Sequence, residues 1–317
     1  MKNSKLKAVD FFCGGGGMSY GMQSAGIQVL AGIDYEPSCK ETYEANINAK
    51  FIQADVFELQ PETLEKELGL KKNDDDLILI GCSPCQYWSV IQTDKRKSEK
   101  SKSLLLEFQR FVEYFNPGYV VVENVPGILS RMKESGLDNF IKLLEEKGFT
   151  VHFGIHNTAD YGIPQSRKRF TLIANRITEE KLEPAKYSGK RLTDLKRLAL
   201  IPKNGGNRLA FAHIPELQLE CFIGKDNSFK DTFGRLWWDK PAPTITTKFF
   251  SISNGRFAHP EEDRALSLRE GATLQSFPRN YVFKAGSRDK IARLIGNAVP
   301  PMYAEKIGRA IVDNIEC

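Results

Sequence analysis

The sequence predicts an α/β fold: a doubly wound sheet with a second, smaller domain. Three observations lead there. Short β-type runs alternate with helical patterns through the first half of the chain. Glycines separate the first strand-like run from the first helical one, and acidic residues close the strand-like runs that follow. The alternation stops near Arg176, and residues from Phe211 to Phe283, rich in Pro, Gly, Thr and aromatics, read as short strands and loops.

Val9-Asp10-Phe11-Phe12 is the first strand, and it leads through glycines into a helix near Met18–Ala25. Val29–Ile33 is the second strand, with a helix near Pro37–Asn46 behind it. Phe51–Ala54 is a short third strand, and Leu77–Ile80 is strand-like between Asp74-Asp75-Asp76 and Gly81. Ser103–Phe115 carries apolar residues at helical spacing. Tyr119–Val122 is a β-branched strand ending at Glu123, and Leu137–Lys147 is helical. Val151, Phe153 and Ile155 alternate as in a strand, and Phe170–Ala174 is another. Continuously apolar strands of this kind predict a parallel sheet covered on both faces. From Arg176 to Arg208 the chain has nine Lys/Arg against four Asp/Glu and little periodicity. The last segment, from Pro300 to Ile315, is a helix opened by prolines, with Ala304, Ile307, Ile311 and Ile315 on one face. The expected division is a large domain of residues 1–176 plus 289–317 and a small one of residues 177–288.

Composition bounds the function classes. With 317 residues and 41% hydrophobic content, the chain can build one large core, or a large and a small one. Six scattered cysteines do not resemble a disulfide framework, and with no signal peptide a reduced cytoplasmic protein is expected. No apolar run approaches the roughly 20 residues that a membrane helix needs. The net charge of +5 permits a polyanionic partner without requiring one.

The chemistry starts at Phe12-Cys13-Gly14-Gly15-Gly16-Gly17. Glycines between a strand and a helix let backbone approach a ligand closely; taken alone they are also compatible with a tight turn. Ser19 breaks a strict G-x-G-x-x-G, which weakens a pyrophosphate-binding reading. Asp34 ends the next strand, 20 residues after Gly14. An acid there can bind ribose hydroxyls, and Asp55 can accept from an adenine amino group. Together these fit an adenosine-bearing cofactor.

Gly81-Cys82-Ser83-Pro84-Cys85 has three readings: a redox pair, half of a zinc site, or one reactive thiol, Cys85, on a Pro84 turn. Zinc wants two more ligands at suitable spacing, and neither a second CxxC nor a fitting His pair exists, so no metal is expected. Glu123 closes an apolar strand, so a parallel sheet brings it to the same rim as Cys85. A thiol and a carboxylic acid at one rim suit addition to an electron-poor ring, the acid protonating a ring nitrogen. A thiol that is mostly protonated at neutral pH needs a cationic neighbourhood. Arg167 and Arg169 share one side of an extended run entering the Phe170 strand and can supply it. The basic run from Asp94 to Lys102 is a solvated loop when taken alone, and beside a reactive Cys a lid that clamps phosphates.

These strings, in this order, resemble the DNA cytosine-5 methyltransferase family, and the resemblance runs nearly end to end. Asp10–Gly17 matches the first cofactor loop and Pro84-Cys85-Gln86 the catalytic Pro-Cys-Gln. Glu123-Asn124-Val125 matches Glu-Asn-Val, and the run Asp160–Arg169 matches the Gln-x-Arg-x-Arg block. Lys240–Thr247 with Leu274–Pro278 matches the penultimate region, and Gly296-Asn297-Ala298-Val299-Pro300 the final one. Two departures stand out: Cys82 and Ser83 replace the usual Gly, Phe or Pro, and Ser101 falls where Arg is common.

The resemblance implies a methyltransferase form of the Rossmann-like doubly wound fold and S-adenosylmethionine as cofactor, with S-adenosylhomocysteine as product. Phe12, Gly14, Gly15 and Gly17 would line the cofactor; Asp34 would hold its ribose, and Tyr35, Asp55 and Val56 would meet the adenine. Pro84, Leu104, Asn297 and Ala298 would complete the pocket, so the last helix should return to the large domain. Cys85 would attack C6 of a flipped cytosine, Glu123 would contact N3, Arg169 the O2 side, and Arg167 would buttress Glu123. Gln86, Ser89, Lys95, Arg96, Lys97, Arg235, Thr246 and Thr247 would touch DNA, and the segment from Arg169 to about Gly234 would recognise the target. The implied partners are double-stranded DNA and a separately acting restriction endonuclease, with the protein a cytoplasmic monomer off the membrane. Two other readings stand beside this one: an RNA cytosine-5 methyltransferase, whose Cys-Phe-Thr signature is absent, and a CxxC oxidoreductase.

Overall fold

The computed structural model describes residues 5–83, 103–184, 205, 231, 234–251, 254–262 and 264–316. Among these, seven strands form one sheet: β1 (Lys7–Phe11), β2 (Gln28–Asp34), β3 (Lys50–Gln53), β4 (Leu77–Gly81), β5 (Tyr119–Asn124), β6 (Thr150–Asn157) and β7 (Lys168–Asn175). Their order is β3-β2-β1-β4-β5-β7-β6. Helices α1 (Gly17–Ser24), α2 (Lys40–Asn46), α3 (Pro61–Leu68), α4 (Leu104–Phe115), α5 (Met132–Ser135) and α6 (Leu137–Glu146) lie among the strands. Helices α7 (Leu268–Leu274), α8 (Arg288–Asn297) and α9 (Pro301–Glu316) follow.

The sheet is parallel from β3 to β5. It departs from the expected all-parallel form at one edge, where β7 runs antiparallel to both β5 and β6. The connection between β6 and β7 explains this. Residues 158–167 are fewer than the dozen or so that a parallel crossover needs, so the chain turns back on itself.

Every residue of β4 and β5 is buried, as expected for strands covered on both faces. Alternation sends Val9, Phe11, Leu79 and Val122 to one face, against Phe108 and Phe111 of α4 and Phe140 of α6. Ala8, Ile80 and Val121 face the other way, against Met18 and Met22 of α1 and Tyr303, Ile307 and Ile311 of α9. The last helix thus returns to the sheet. Gly21 permits its close approach, because a Cβ there would stand 2.4 Å from that of Ala304.

A further apolar cluster joins Leu236, Ile245, Phe249, Leu266, Phe277 and Tyr281 to Ala292 and Ile295 of α8. Helix α3 escaped the periodicity because only Pro61 and Leu64 of its residues are buried. Helix α7 opens on a capping box between Ser267 and Glu270, a signal that stands in the sequence as Ser-x-x-Glu. Among the described residues, no helix is long and apolar enough to cross a membrane.

Candidate active site

Strand order reverses between β1 and β4, and open α/β sheets bind ligands beyond the carboxyl ends of strands at such a point. The loop leaving β1 is tightly wound: φ is +62° at Phe12, +51° at Gly14 and +86° at Gly16. Such geometry suits glycine and strains Phe12. Asp34 anchors this loop. Its two carboxylate oxygens accept the amides of Gly14 and Glu36, each at 2.9 Å. Burial raises the Asp34 pKa, while these amides act to lower it.

Among the described residues, a side chain at Gly14 would meet nothing within 4 Å, so they leave the outer side of the loop open. At Gly17 a Cβ would stand 2.4 Å from the Val299 carbonyl and 3.2 Å from the Cβ of Ala298. The glycine therefore admits the segment that follows α8, as the final motif requires. The Tyr281 hydroxyl donates to the Gly15 carbonyl from the other side. The first turn of α1 has no side-chain cap, and uncapped helix amides suit an anionic group. Beneath it lies the buried Asp10, which accepts from the Ser19 hydroxyl at 2.6 Å. Burial pushes the Asp10 carboxyl up to about 7, with Ser19 opposing.

The candidate cofactor residues divide by placement. Phe12, Val56 and Leu104 pack against one apolar cluster, Gly14 bonds Asp34, and Gly17 touches Ala298. Tyr35 leaves its ring 66% exposed beside Asp34. One oxygen of Asp55 accepts the Phe57 amide at 3.1 Å, and Asn297 ends α8 in an exposed position. A half-buried carboxylate with spare lone pairs, an exposed aromatic residue and an open glycine loop fit a nucleoside with free hydroxyls.

The acid stands at the neighbouring strand end. Glu123 and Arg169 form an ion pair at 3.1 Å, their side chains only 10% and 12% exposed. Burial raises the Glu123 pKa, opposed by the charges of Arg169 and Arg167. Burial and the two guanidinium charges thus act on this carboxyl in opposite directions. The antiparallel direction of β7 makes this pairing possible. Residues entering β7 arrive at the rim where β5 ends, with Asn124 opposite Phe170.

Arg167 acts on Glu123 and also holds the closing segment. Its guanidinium donates to the carbonyls of Ile245, Gly296 and Ala298, each at 3.2 Å, and its effect on Glu123 is that of a nearby charge. It clamps three chain segments together. Gln165 extends the clamp: its carboxamide donates to the Gln275 side-chain oxygen Oε1 at 2.6 Å and accepts the Ile245 amide at 2.9 Å.

Cys82 packs against the sheet-face cluster that holds α1 and α9. Burial, with the Asp10 and Glu123 carboxyls nearby, pushes its thiol well above the ordinary value, which makes it a poor nucleophile. Pro84, Cys85, Gln86, Ser89, Lys95, Arg96 and Lys97 lie outside the described residues. Arg235 donates to the carbonyls of His259 and Glu262, closing a turn. Thr246 and Thr247 are half-buried, and their backbone packs where a Cβ on Gly296 would clash.

Four residues that build the site carried no assignment from the sequence: Asp10, Asn124, Gln275 and Tyr281. Asp10 was visible as a lone acid in an apolar strand, where a charge demands a partner. Asn124 and Gln275 lay inside matched motifs without a stated job. Nothing local marks Tyr281, whose contact with Gly15 spans 266 positions.

A model of the C-5 cytosine-specific DNA methylase family matches residues 6–218 and 225–313. The Type II methylase M.HgiDII of Herpetosiphon aurantiacus is 36% identical to the chain, over 96% of it and 94% of that relative. The Type II methyltransferase M.FnuDI of Fusobacterium nucleatum is 28% identical over 98% of this chain and 95% of its own. Among solved structures, the Entamoeba histolytica methyltransferase EhMeth superposes with a TM-score of 0.69 at 15% identity, covering 98% of each chain. The Schizosaccharomyces pombe Dnmt2 methyltransferase reaches 0.68 at 18% identity, over 98% of this chain and 100% of its own. At such identities the structures share the fold. The family model spans the glycine loop, the Glu123–Arg169 pair and the closing segment alike, and the chain belongs to the C-5 cytosine-specific DNA methylase family.

Proposed function

We propose that this DNA cytosine C5 methyltransferase works through Cys85, Glu123 and Arg169 on a cytosine flipped out of a short duplex sequence. The observation that carries the reading is the buried Glu123–Arg169 pair at the end of β5, beside the end of β4 from which the chain runs on to Cys85. The Cys85 thiolate adds to C6 while Glu123 gives a proton to N3, and the ring electrons make C5 nucleophilic. S-adenosylmethionine supplies the electrophilic methyl group and leaves as S-adenosylhomocysteine. A water molecule acting as base takes the C5 proton, the C5–C6 double bond re-forms, the C6–S bond breaks to release the Cys85 thiolate, and Glu123 recovers the proton from N3. Arg169 holds Glu123 in place and faces the O2 side of the base.

Asp34 accepts hydroxyls of the donor's ribose, and Tyr35, Asp55 and Val56 receive its adenine. Phe12, Gly14, Gly15, Gly17, Pro84, Leu104, Asn297 and Ala298 form the remaining walls. Flipping the base costs a few kcal/mol, which phosphate contacts by Lys95, Arg96 and Lys97 offset, with Gln86 and Ser89 beside the vacated stack. Residues 177–288, with Arg235, Thr246 and Thr247, read the duplex. Two bacterial relatives named as Type II enzymes support a restriction–modification setting: a cytoplasmic monomer with a separately acting endonuclease.

The test is transfer of labelled methyl from S-adenosylmethionine to duplex DNA. Wild type and Cys82→Ser are expected to transfer label and Cys85→Ser to transfer none. Activity that survives in Cys85→Ser but not in Cys82→Ser overturns the assignment in favour of a paired-cysteine mechanism. Label entering RNA and not DNA overturns the substrate. Sequencing the methylated cytosines names the recognised bases.

A further inference from the structure

The main-chain ladder between β4 and β5 ends at the Gly81–Val122 pair. Strand β5 continues for two more residues, Glu123 and Asn124, held on its other edge by Thr171 and Phe170 of β7. Beyond Gly81 the Cys82 amide donates to the Phe11 carbonyl at 3.3 Å, on the β1 side of β4. No β4–β5 register pair reaches Ser83 to fix the departing chain against the strand that carries the acid.

A side-chain contact does so instead. The Asn124 carboxamide nitrogen donates to the Ser83 hydroxyl at 3.1 Å and reaches the Ser83 carbonyl at 3.5 Å. Its oxygen accepts the Val125 amide at 2.8 Å, which orients the carboxamide. Asn124 is 2% and Ser83 8% exposed, so water does not compete for the contact.

We propose that Ser83 is a positioning residue: gripped by Asn124, it fixes where the chain leaves β4, two residues before Cys85, and so governs how well that thiol is presented for attack. The inference rests on the assignment of Cys85 and Glu123 above. Placement of the thiol affects the rate of attack more than the affinity for either substrate. A misplacement of about 1 Å at such a centre costs on the order of a hundredfold in rate.

The experiment is a double-mutant cycle on the full chain: Ser83→Ala, Asn124→Ala and the pair, each checked for a wild-type circular dichroism spectrum. Steady-state methylation of duplex DNA gives kcat and both KM values. Each single change is expected to lower kcat about tenfold or more, with KM for DNA and for S-adenosylmethionine within about threefold of wild type. The pair is expected to be no slower than the slower single, because both remove one contact. A merely structural role predicts effects in KM or multiplying effects in the double variant, and either result overturns the proposal, as does a Ser83→Ala enzyme with wild-type kcat. Cys85→Ser runs beside the cycle: if it remains active, the assignment of Cys85 fails, whatever the cycle returns.

Discussion

Replacing Arg167 by Lys keeps a positive charge near Glu123 and removes the planar fork that joins three segments. Arg167 is 2% exposed and spreads its donors over the carbonyls of Ile245, Gly296 and Ala298. An ammonium presents a point charge and cannot reproduce that fan of donors from one position. At least one buried carbonyl then loses its partner, at about 1–3 kcal/mol, and the charge itself keeps fewer hydrogen bonds. A loss of about 2–3 kcal/mol follows, which for a chain of this size lowers Tm by about 3–5 °C. Differential scanning calorimetry gives the shift. The retained charge should leave the pH dependence of methyl transfer unchanged, because the charge is what Arg167 contributes at Glu123. A Tm within about 1 °C of wild type refutes the clamp. A displaced pH–rate profile with an unchanged Tm refutes the division of labour between Arg167 and Arg169.

Asp10 titrates near 7 in the fold against 3.8 ordinarily, so the native state holds an extra proton between those values. Stability conferred below that window is lost as pH rises through it, at no more than about 1.4 kcal/mol per pH unit. Asp10→Asn removes the slope: urea midpoints at pH 5 and pH 8 should lie closer together in the variant than in wild type, and parallel profiles would contradict this. Gly21→Ala places a methyl 2.4 Å from the Pro301 carbonyl and 2.6 Å from the Glu305 amide, main-chain atoms that cannot step aside without moving α9. Equilibrium denaturation should show a loss of about 1–3 kcal/mol despite alanine's better helix propensity, and a gain in stability would mean that α1 and α9 are not in close contact.

The parts of the fold that were legible in the sequence are those where one segment carries its own signal. Leu77–Ile80 and Tyr119–Val122 are continuously apolar because both faces are covered, and continuous burial leaves an unmistakable string. The direction of β7 left no such trace, since a strand reads the same along either direction and only the short 158–167 connection betrayed the turn. That direction decides the site. Were β7 parallel to β5, Arg169 would stand at the opposite rim from Glu123. The family resemblance, not periodicity, put Glu123 and Arg169 at one site, and the structure pairs their side chains. Contacts between distant segments, such as Tyr281 with Gly15 or Arg167 with Gly296, are set by tertiary packing. No local pattern of residues encodes them.

The central claim is that Cys85 bonds to C6 of the target cytosine. Duplex DNA carrying 5-fluorocytosine at the recognised position tests it, because the fluorine blocks the loss from C5 that would release the thiol. Incubated with S-adenosylmethionine, the wild-type protein is expected to form a complex that survives denaturing electrophoresis, with the nucleotide attached to the peptide bearing Cys85 by mass spectrometry. Turnover of ordinary DNA with no trapped complex, or attachment at any other residue, would contradict the account.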